Sequence, residues 1–276
     1  MDLQKNEIAK AIESIERYFQ QYKELYSDEI LIPSKQLQKE STNQSMKPTS
    51  KIPNEVEPED LFGMSSPQKP KAKSKTQDFS LPQEPWTTAE DLDTLNEMIR
   101  TCTKCSLGAS RKNFVFGVGN PQAEVVVVGE APGADEDEQG KPFVGRAGQL
   151  LNKILEAIHF HREEVFICNI LKCRPPNNRE PLPEEITLCE PYLVKQLEIL
   201  HPKAILCAGR IAGQALLKTN TSLAQLRGKV FDYRGIPLMV TYHPAALLRN
   251  PNWKRLCWED VQRFRKLYDE LKQKEQ

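Results

Sequence analysis

In the second half of the chain, apolar residues come in short unbroken runs, each followed by a stretch with helical spacing. Val125, Val126, Val127 and Val128 form one run, entering Gly129. Residues 165–171, 204–207 and 237–241 are further runs of strand length. Strands covered on both faces read as continuous apolar runs, and parallel strands need helices to cross between them. Helical spacing fills the gaps at 147–158, at 183–200 with a proline in its first turn, at 210–217 and at 252–272. Residues 229–234, closed by Gly235, read as a small hairpin arm before the fourth strand. The pattern predicts an α/β fold with a parallel sheet over residues 86–276. In such sheets functional residues gather at the carboxyl ends of the strands. That rule selects 129–137, 169–174, 209–210 and 242–249.

The first third follows another pattern. Ile8, Ile12, Ile15, Phe19, Tyr22 and Tyr26 recur at steps of four and three, which predicts an amphipathic helix within 1–31. It spans under three heptads, so it reads as a docking helix rather than a long coiled coil. Residues 32–85 are rich in Pro, Ser, Lys, Gln and Glu. Too few apolar side chains remain to offset the entropy of folding, and a disordered linker is expected.

Charge adds little by itself. Lys+Arg and Asp+Glu stand at 38 each, with 12 and 14 of them in residues 1–85 and 26 and 24 beyond. An anionic partner must therefore be met by local clusters. No run approaches the roughly 18 apolar residues of a membrane span. The N-terminus lacks the apolar core of a secretion signal, so a cytoplasmic location without membrane contact is expected. In that compartment seven cysteines point to metal before disulfides. Cys102 and Cys105 form a C-x2-C pair ahead of the first strand, and Cys173 and Cys189 are separated by 15 residues, one just after the second strand and one inside the following helix. Four thiolates hold zinc or an iron–sulfur cluster. The wide second spacing is unlike a zinc ribbon but does not choose the metal. Cys168, Cys207 and Cys257 fall in apolar runs and are assigned to packing.

Four loops now stand in order. They are Gly129-Glu130-Ala131-Pro132-Gly133-Ala134-Asp135-Glu136-Asp137, Gly140-Lys141-Pro142-Phe143-Val144-Gly145-Arg146-Ala147-Gly148, Asn169-Ile170-Leu171-Lys172-Cys173-Arg174-Pro175-Pro176 and His243-Pro244-Ala245-Ala246-Leu247-Leu248-Arg249. Interleaved with the cysteine spacing, they strongly resemble the family 4 uracil-DNA glycosylases, the iron–sulfur branch of that superfamily. The resemblance covers about 101–271. It implies a three-layer α/β/α sandwich with a four-stranded, mainly parallel sheet. It also implies a [4Fe–4S] cluster on Cys102, Cys105, Cys173 and Cys189, and uracil-containing DNA as the partner, with the protein on the nucleoid. The implied reaction is base excision: hydrolysis of the N-glycosidic bond by a monofunctional enzyme, leaving an abasic site.

The chemistry suits the residues. Cutting a bond inside the base stack requires the nucleotide to be flipped into a pocket and read on its Watson–Crick edge. The Asn169 carboxamide can accept from uracil N3–H and donate to O4, a pattern that cytosine reverses. Phe143 resembles the family aromatic that stacks on the base, with Gly129 and Ala131 as pocket walls. His243 resembles the family histidine at uracil O2, where leaving-group charge builds. Leu247, first, and Leu248 read as an apolar wedge on a loop, with Arg249 and Arg210 at the phosphates. Where another branch of the superfamily has a water-positioning aspartate, this chain has Ala131. Glu130 and Glu136 are the candidate acids for that water, against the plainer reading of 135–138 as a solvated acidic helix start. Position 133 is Gly where that branch has a tyrosine against the thymine methyl. Glu59-Asp60-Leu61-Phe62 loosely resembles the sliding-clamp peptide of bacterial repair proteins, although chance is the commoner origin of so short a match. A catalytically dead iron–sulfur DNA-binding module and a zinc-stabilised nuclease or regulatory domain are the rival readings.

Overall fold

A computed structural model describes residues 81–274. The expected docking helix, most of the linker and the Leu61-Phe62 pair lie outside the described residues. Six strands form one mixed sheet in the order β1-β3-β2-β4-β6-β5: β1 (Val118–Gly119), β2 (Val125–Gly129), β3 (Phe166–Asn169), β4 (Ala204–Ala208), β5 (Val230–Tyr233) and β6 (Ile236–Thr241). The four central strands are parallel, as the apolar runs predict. The two additions are antiparallel edges: β1 on β3, and β5 as the first arm of the expected hairpin with β6. β1 is only two residues long, with Val118 standing between Gly117 and Gly119, which is why no periodicity announced it.

Alternate residues of each central strand enter different cores. Val126 and Val128 face one side with Phe166, Cys168, Ile205, Cys207, Leu238 and Val240. Val125 and Val127 face the other with Ile167, Leu206 and Met239. The first face is covered by α1 (Leu92–Ile99), α5 (Pro183–Leu200) and α6 (Arg210–Leu217). The second is covered by α4 (Arg146–Ala157) and α9 (Lys254–Gln273). Each valine removed from water this way contributes roughly 1.5–3 kcal/mol. Between these helices run the short α2 (Leu107–Ser110), α3 (Ala134–Gln139), α7 (Leu223–Leu226) and α8 (Pro244–Arg249). Cys168, Cys207 and Cys257 are buried packing residues, as assigned. Among the described residues no helix is long and apolar enough to cross a membrane.

One polar tie fixes the last helix to the end of the last strand. Asp260 on α9 is 1% exposed. Its Oδ2 accepts from Arg227 Nε and from the Thr241 hydroxyl, both at 3.0 Å. Arg227 also donates to the Leu256 carbonyl at 2.6 Å. Thr241 closes β6 two residues before His243, so the tie anchors the backbone from which that side chain projects. Removing one partner of a buried pair strands the other charge at a cost of about 3–5 kcal/mol. Arg227→Met is expected to lose stability of that order in urea denaturation. Adding Asp260→Leu should recover much of it, and strictly additive losses would show that the two side chains are not coupled.

Candidate active site

Because the four central strands are parallel, their carboxyl ends share one edge, and β2 and β4 leave it toward opposite faces of the sheet. The pattern-selected loops meet there. Gly129 closes β2 in register with Asn169, which closes β3. The amides of Ile170 and Leu171 donate back to the Gly129 and Glu130 carbonyls at 2.9 and 3.0 Å. A Cβ on Gly129 would stand 2.3 Å from Asn169 Oδ1 and 2.7 Å from the Phe143 ring. The bare glycine is thus what lets the carboxamide and the aromatic ring approach each other. Asn169 is 1% exposed and its Oδ1 has no hydrogen-bond partner. An orphaned buried acceptor costs about 1–3 kcal/mol, a cost that a ligand N–H would relieve.

Phe143 is buried although its loop is rich in glycine, and its φ of 52° is left-handed. Such a conformation costs a non-glycine residue about 1–2 kcal/mol, so something must hold the loop. Glu136 does. Its Oε1 accepts from the Val144 and Gly145 amides at 2.9 and 3.0 Å, and its Oε2 from the Gly133 amide at 3.1 Å. This is a correction to the expectation that Glu136 positions water, because its oxygens are taken up clamping the Phe143 loop to the start of α3. Asp137 is likewise committed, accepting from the Lys112 and Asn113 amides.

His243 follows β6 and caps α8. Its Nδ1 accepts from the Ala245 amide at 3.2 Å, so the neutral ring carries its proton on Nε2. Burial, reinforced by the nearby Arg249 guanidinium, pushes its pKa down to about 4. The imidazole lies 5.5 Å from the Phe143 ring, centroid to centroid. It also packs on Gly209, whose φ of 106° and missing side chain admit it. A Cβ there would meet His243 Cβ at 2.9 Å.

Glu130, half-buried just past the end of β2, has no such commitments: among the described residues no hydrogen bond occupies its carboxylate. Burial first, then the charge of Glu180, raises its pKa, while Arg210 and Arg249 pull it back. Arg210 opens α6 and donates to Glu180 and Gln214 at 2.5 and 3.0 Å. Ala131 packs partly buried against the first core. The loop expected to carry a leucine wedge is the helix α8. Leu247 is 1% exposed and belongs to the second core, whereas Leu248 is 38% exposed beside the exposed Arg249. Leu248, not the Leu247 expected first, is thus the exposed one of the pair, because a helical turn puts consecutive residues on different faces.

The four cysteines share one corner. Arg111 donates to Cys173 Sγ at 3.2 Å and to the Cys102 carbonyl at 2.5 Å. Tyr192 donates to Cys102 Sγ at 3.2 Å, and the Lys172 amide to Cys189 Sγ at 3.3 Å. Cys102 and Cys105 lie close enough to act electrostatically on Cys173. Burial lifts the Cys173 thiol and pushes Cys189 up to about 12. Among the described residues, no three His, Cys, Asp or Glu side chains are grouped tightly enough to hold a single metal ion.

Two features escaped the sequence pattern. One is the Glu136 clamp, which needs the 144–145 amides to fold back. The other is Lys172, fully buried at the end of an apolar run; its place between Leu171 and Cys173 was the available signal. A cleft of about 420 Å³ lies at the opposite, amino-terminal edge of the sheet, around Glu124, Phe160 and Tyr268. Of its two acids, Glu124 is already paired with Tyr268, Lys203 and Lys272, and Glu164 accepts from the His161 amide.

The chain matches the family model described as the uracil DNA glycosylase superfamily over residues 116–269. It is 44% identical over 186 residues to the type-4 uracil-DNA glycosylase of Archaeoglobus fulgidus, covering 64% of this chain and 94% of that one. It is 41% identical over 182 residues to the type-4 enzyme of Thermotoga maritima, covering 64% and 95%. A type-5 uracil-DNA glycosylase of Pyrobaculum aerophilum stands further off, 34% identical over 52% of this chain and 70% of its own. With four parallel central strands whose carboxyl edge gathers Gly129, Phe143, Asn169 and His243, the chain belongs to the uracil-DNA glycosylase superfamily, in its type-4 branch.

Proposed function

We propose that the protein hydrolyses the N-glycosidic bond of deoxyuridine in DNA, releasing uracil and leaving an abasic site for base excision repair. The observation that carries this reading is the buried, unpartnered Asn169 Oδ1 set against Phe143 at the strand edge. A base flipped into that gap would lie on the Phe143 ring. Its N3–H would meet Asn169 Oδ1, and its O4 the carboxamide NH2. Cytosine would leave both groups facing their own kind, at about 1–3 kcal/mol for each buried group left unpaired.

His243 would donate Nε2–H to uracil O2. Charge on O2 grows as the glycosidic bond stretches, so a fixed neutral donor stabilises the transition state more than the ground state. Glu130 would hold the water that attacks the sugar, leaving Glu136 to keep Phe143 in place. The exposed Leu248 is the better wedge for the gap left in the duplex. Arg249 and Arg210 would face phosphates. No lysine nucleophile is required.

We assign Cys102, Cys105, Cys173 and Cys189 to a [4Fe–4S] cluster. Their convergence on one corner supports a metal. The likeness to type-4 enzymes, together with the wide spacing of Cys173 and Cys189, favours a cluster over a zinc ribbon. When bound, such a cluster supplies anchorage between the segment before β2, the turn after β3 and α5.

Purified protein is expected to convert uracil-containing oligonucleotides, but not matched thymine-containing ones, to alkali-labile products. The acid limb of kcat/KM should lie below the ordinary histidine value of 6.5, because His243 stays neutral until about pH 4; a limb at 6.5 would contradict the neutral donor. Glu130→Gln should lower kcat by about 100-fold, the lower range for a lost general base, and a rate within about threefold of the parent would remove Glu130 from the reaction. Iron and a broad absorbance band at roughly 400 nm are expected from the aerobically purified protein, and Cys173→Ser should abolish both. Stoichiometric zinc without that band would overturn the cluster.

A further inference from the structure

The proposed chemistry leaves one charged side chain without a task. Lys172 is 0% exposed. Its ammonium donates to the Asn169 main-chain carbonyl at 2.9 Å and to Gln196 Oε1 at 2.6 Å. Among the described residues no carboxylate is paired with it. A buried ammonium is costly unless its surroundings compensate it, so its position is not an accident of packing. The groups near enough to favour its charge are the sulfurs of Cys168, Cys189 and Cys173.

The main chain of the same residue faces the cysteine corner. Its amide donates to Cys189 Sγ at 3.3 Å, and its carbonyl accepts from the Val115 amide at 2.8 Å. Cys173 is its neighbour in sequence. Gln196 is also fully buried, donates to the Phe116 carbonyl at 3.0 Å, and sits on α5 two turns beyond Cys189. One residue therefore has its backbone among the thiols and its charged end on the peptide that carries Asn169. Thiolates ligating a cluster would bring negative charge to that corner, where the ammonium has no other anion.

We propose that Lys172 is a positioning residue that ties the seating of the four-cysteine site to the orientation of Asn169. The inference rests on the reading of Asn169 as the uracil-recognising group. It makes uracil affinity, rather than fold alone, depend on one buried cation. A space-filling role predicts no such dependence, because an apolar side chain of similar length would serve as well.

The test uses full-length, cluster-loaded protein and free uracil as a competitive inhibitor. Lys172→Met is expected to keep its iron and its absorbance band. Its inhibition constant for uracil and its KM should rise about tenfold, the scale of one misplaced buried hydrogen bond, with kcat falling less. Gln196→Leu removes one acceptor without touching the cysteine turn, and should shift uracil inhibition the same way by a smaller factor. Asn169→Ala is the reference. If it leaves uracil inhibition unchanged, the recognition reading fails and this inference with it. If Asn169→Ala weakens inhibition while iron-loaded Lys172→Met stays within about twofold of the parent, Lys172 is only a filler and the inference alone is overturned. Should Lys172→Met fail to fold or load iron, Gln196→Leu decides, and wild-type uracil inhibition at full iron overturns the inference.

Discussion

The register that sets Gly129 opposite Asn169 at the ends of two parallel strands is the contact on which the site rests. It aligns a residue without a side chain with one whose carboxamide needs space, and the vacancy admits the Phe143 ring as well. A slip of one residue would turn every inward side chain of a strand to the opposite core. The four-valine run resists that slip only through its neighbours, since all four residues are equally apolar. What fixes the pairing is the carboxyl end, where the Ile170 and Leu171 amides bond to Gly129 and Glu130. Proposed recognition and sheet register are thus one constraint: the hydrogen bonds that end the ladder also seat Asn169, the group proposed to read the base.

The acids of the first loop show how position divides labour among similar side chains. Asp135, Glu136 and Asp137 lie in the first turn of α3, where the helix dipole favours negative charge. Glu136 goes further and gathers three amides from two segments, offsetting the strain of a left-handed Phe143. A carboxylate so occupied is poor at holding a mobile water. Glu130 sits one residue past the strand, with two arginines and one acid acting on it and its oxygens free of backbone duties. Placement, not chemical type, separates the clamp from the candidate base.

Much of this was legible in the sequence because it is periodic. Apolar runs gave the four parallel strands and the long helices to within a few residues, since both faces of the sheet are covered and the alternation disappears. Order along the chain selected Asn169, Phe143 and His243, which the structure brings to one edge of the sheet. What stayed hidden depends on three-dimensional folding back. Leu247 and Leu248 are indistinguishable by type, and only the turn of α8 sends the first into the core and leaves the second exposed. Likewise β1 is too short to carry a period, and Glu136 reads as one acid among several until the Val144 and Gly145 amides are seen to converge on it.

The state of His243 follows from the same crowding. Its Nδ1 is taken by a backbone amide, its ring is shielded by Phe143 and Gly209, and a guanidinium stands nearby. Each of these disfavours an imidazolium. A cation at that point would already bind the base oxygen strongly in the ground state, and when buried it would need a counter-ion at rest. A neutral N–H needs none, and its interaction strengthens only as charge moves onto O2. Lys172 is the converse case: a cation kept away from the base, buried behind the recognising peptide, where its charge can hold a carbonyl in place without facing the substrate. In the proposed mechanism the two jobs of positive charge are thus separate, with a neutral donor at the reacting base and the full charge where it only has to hold the backbone still.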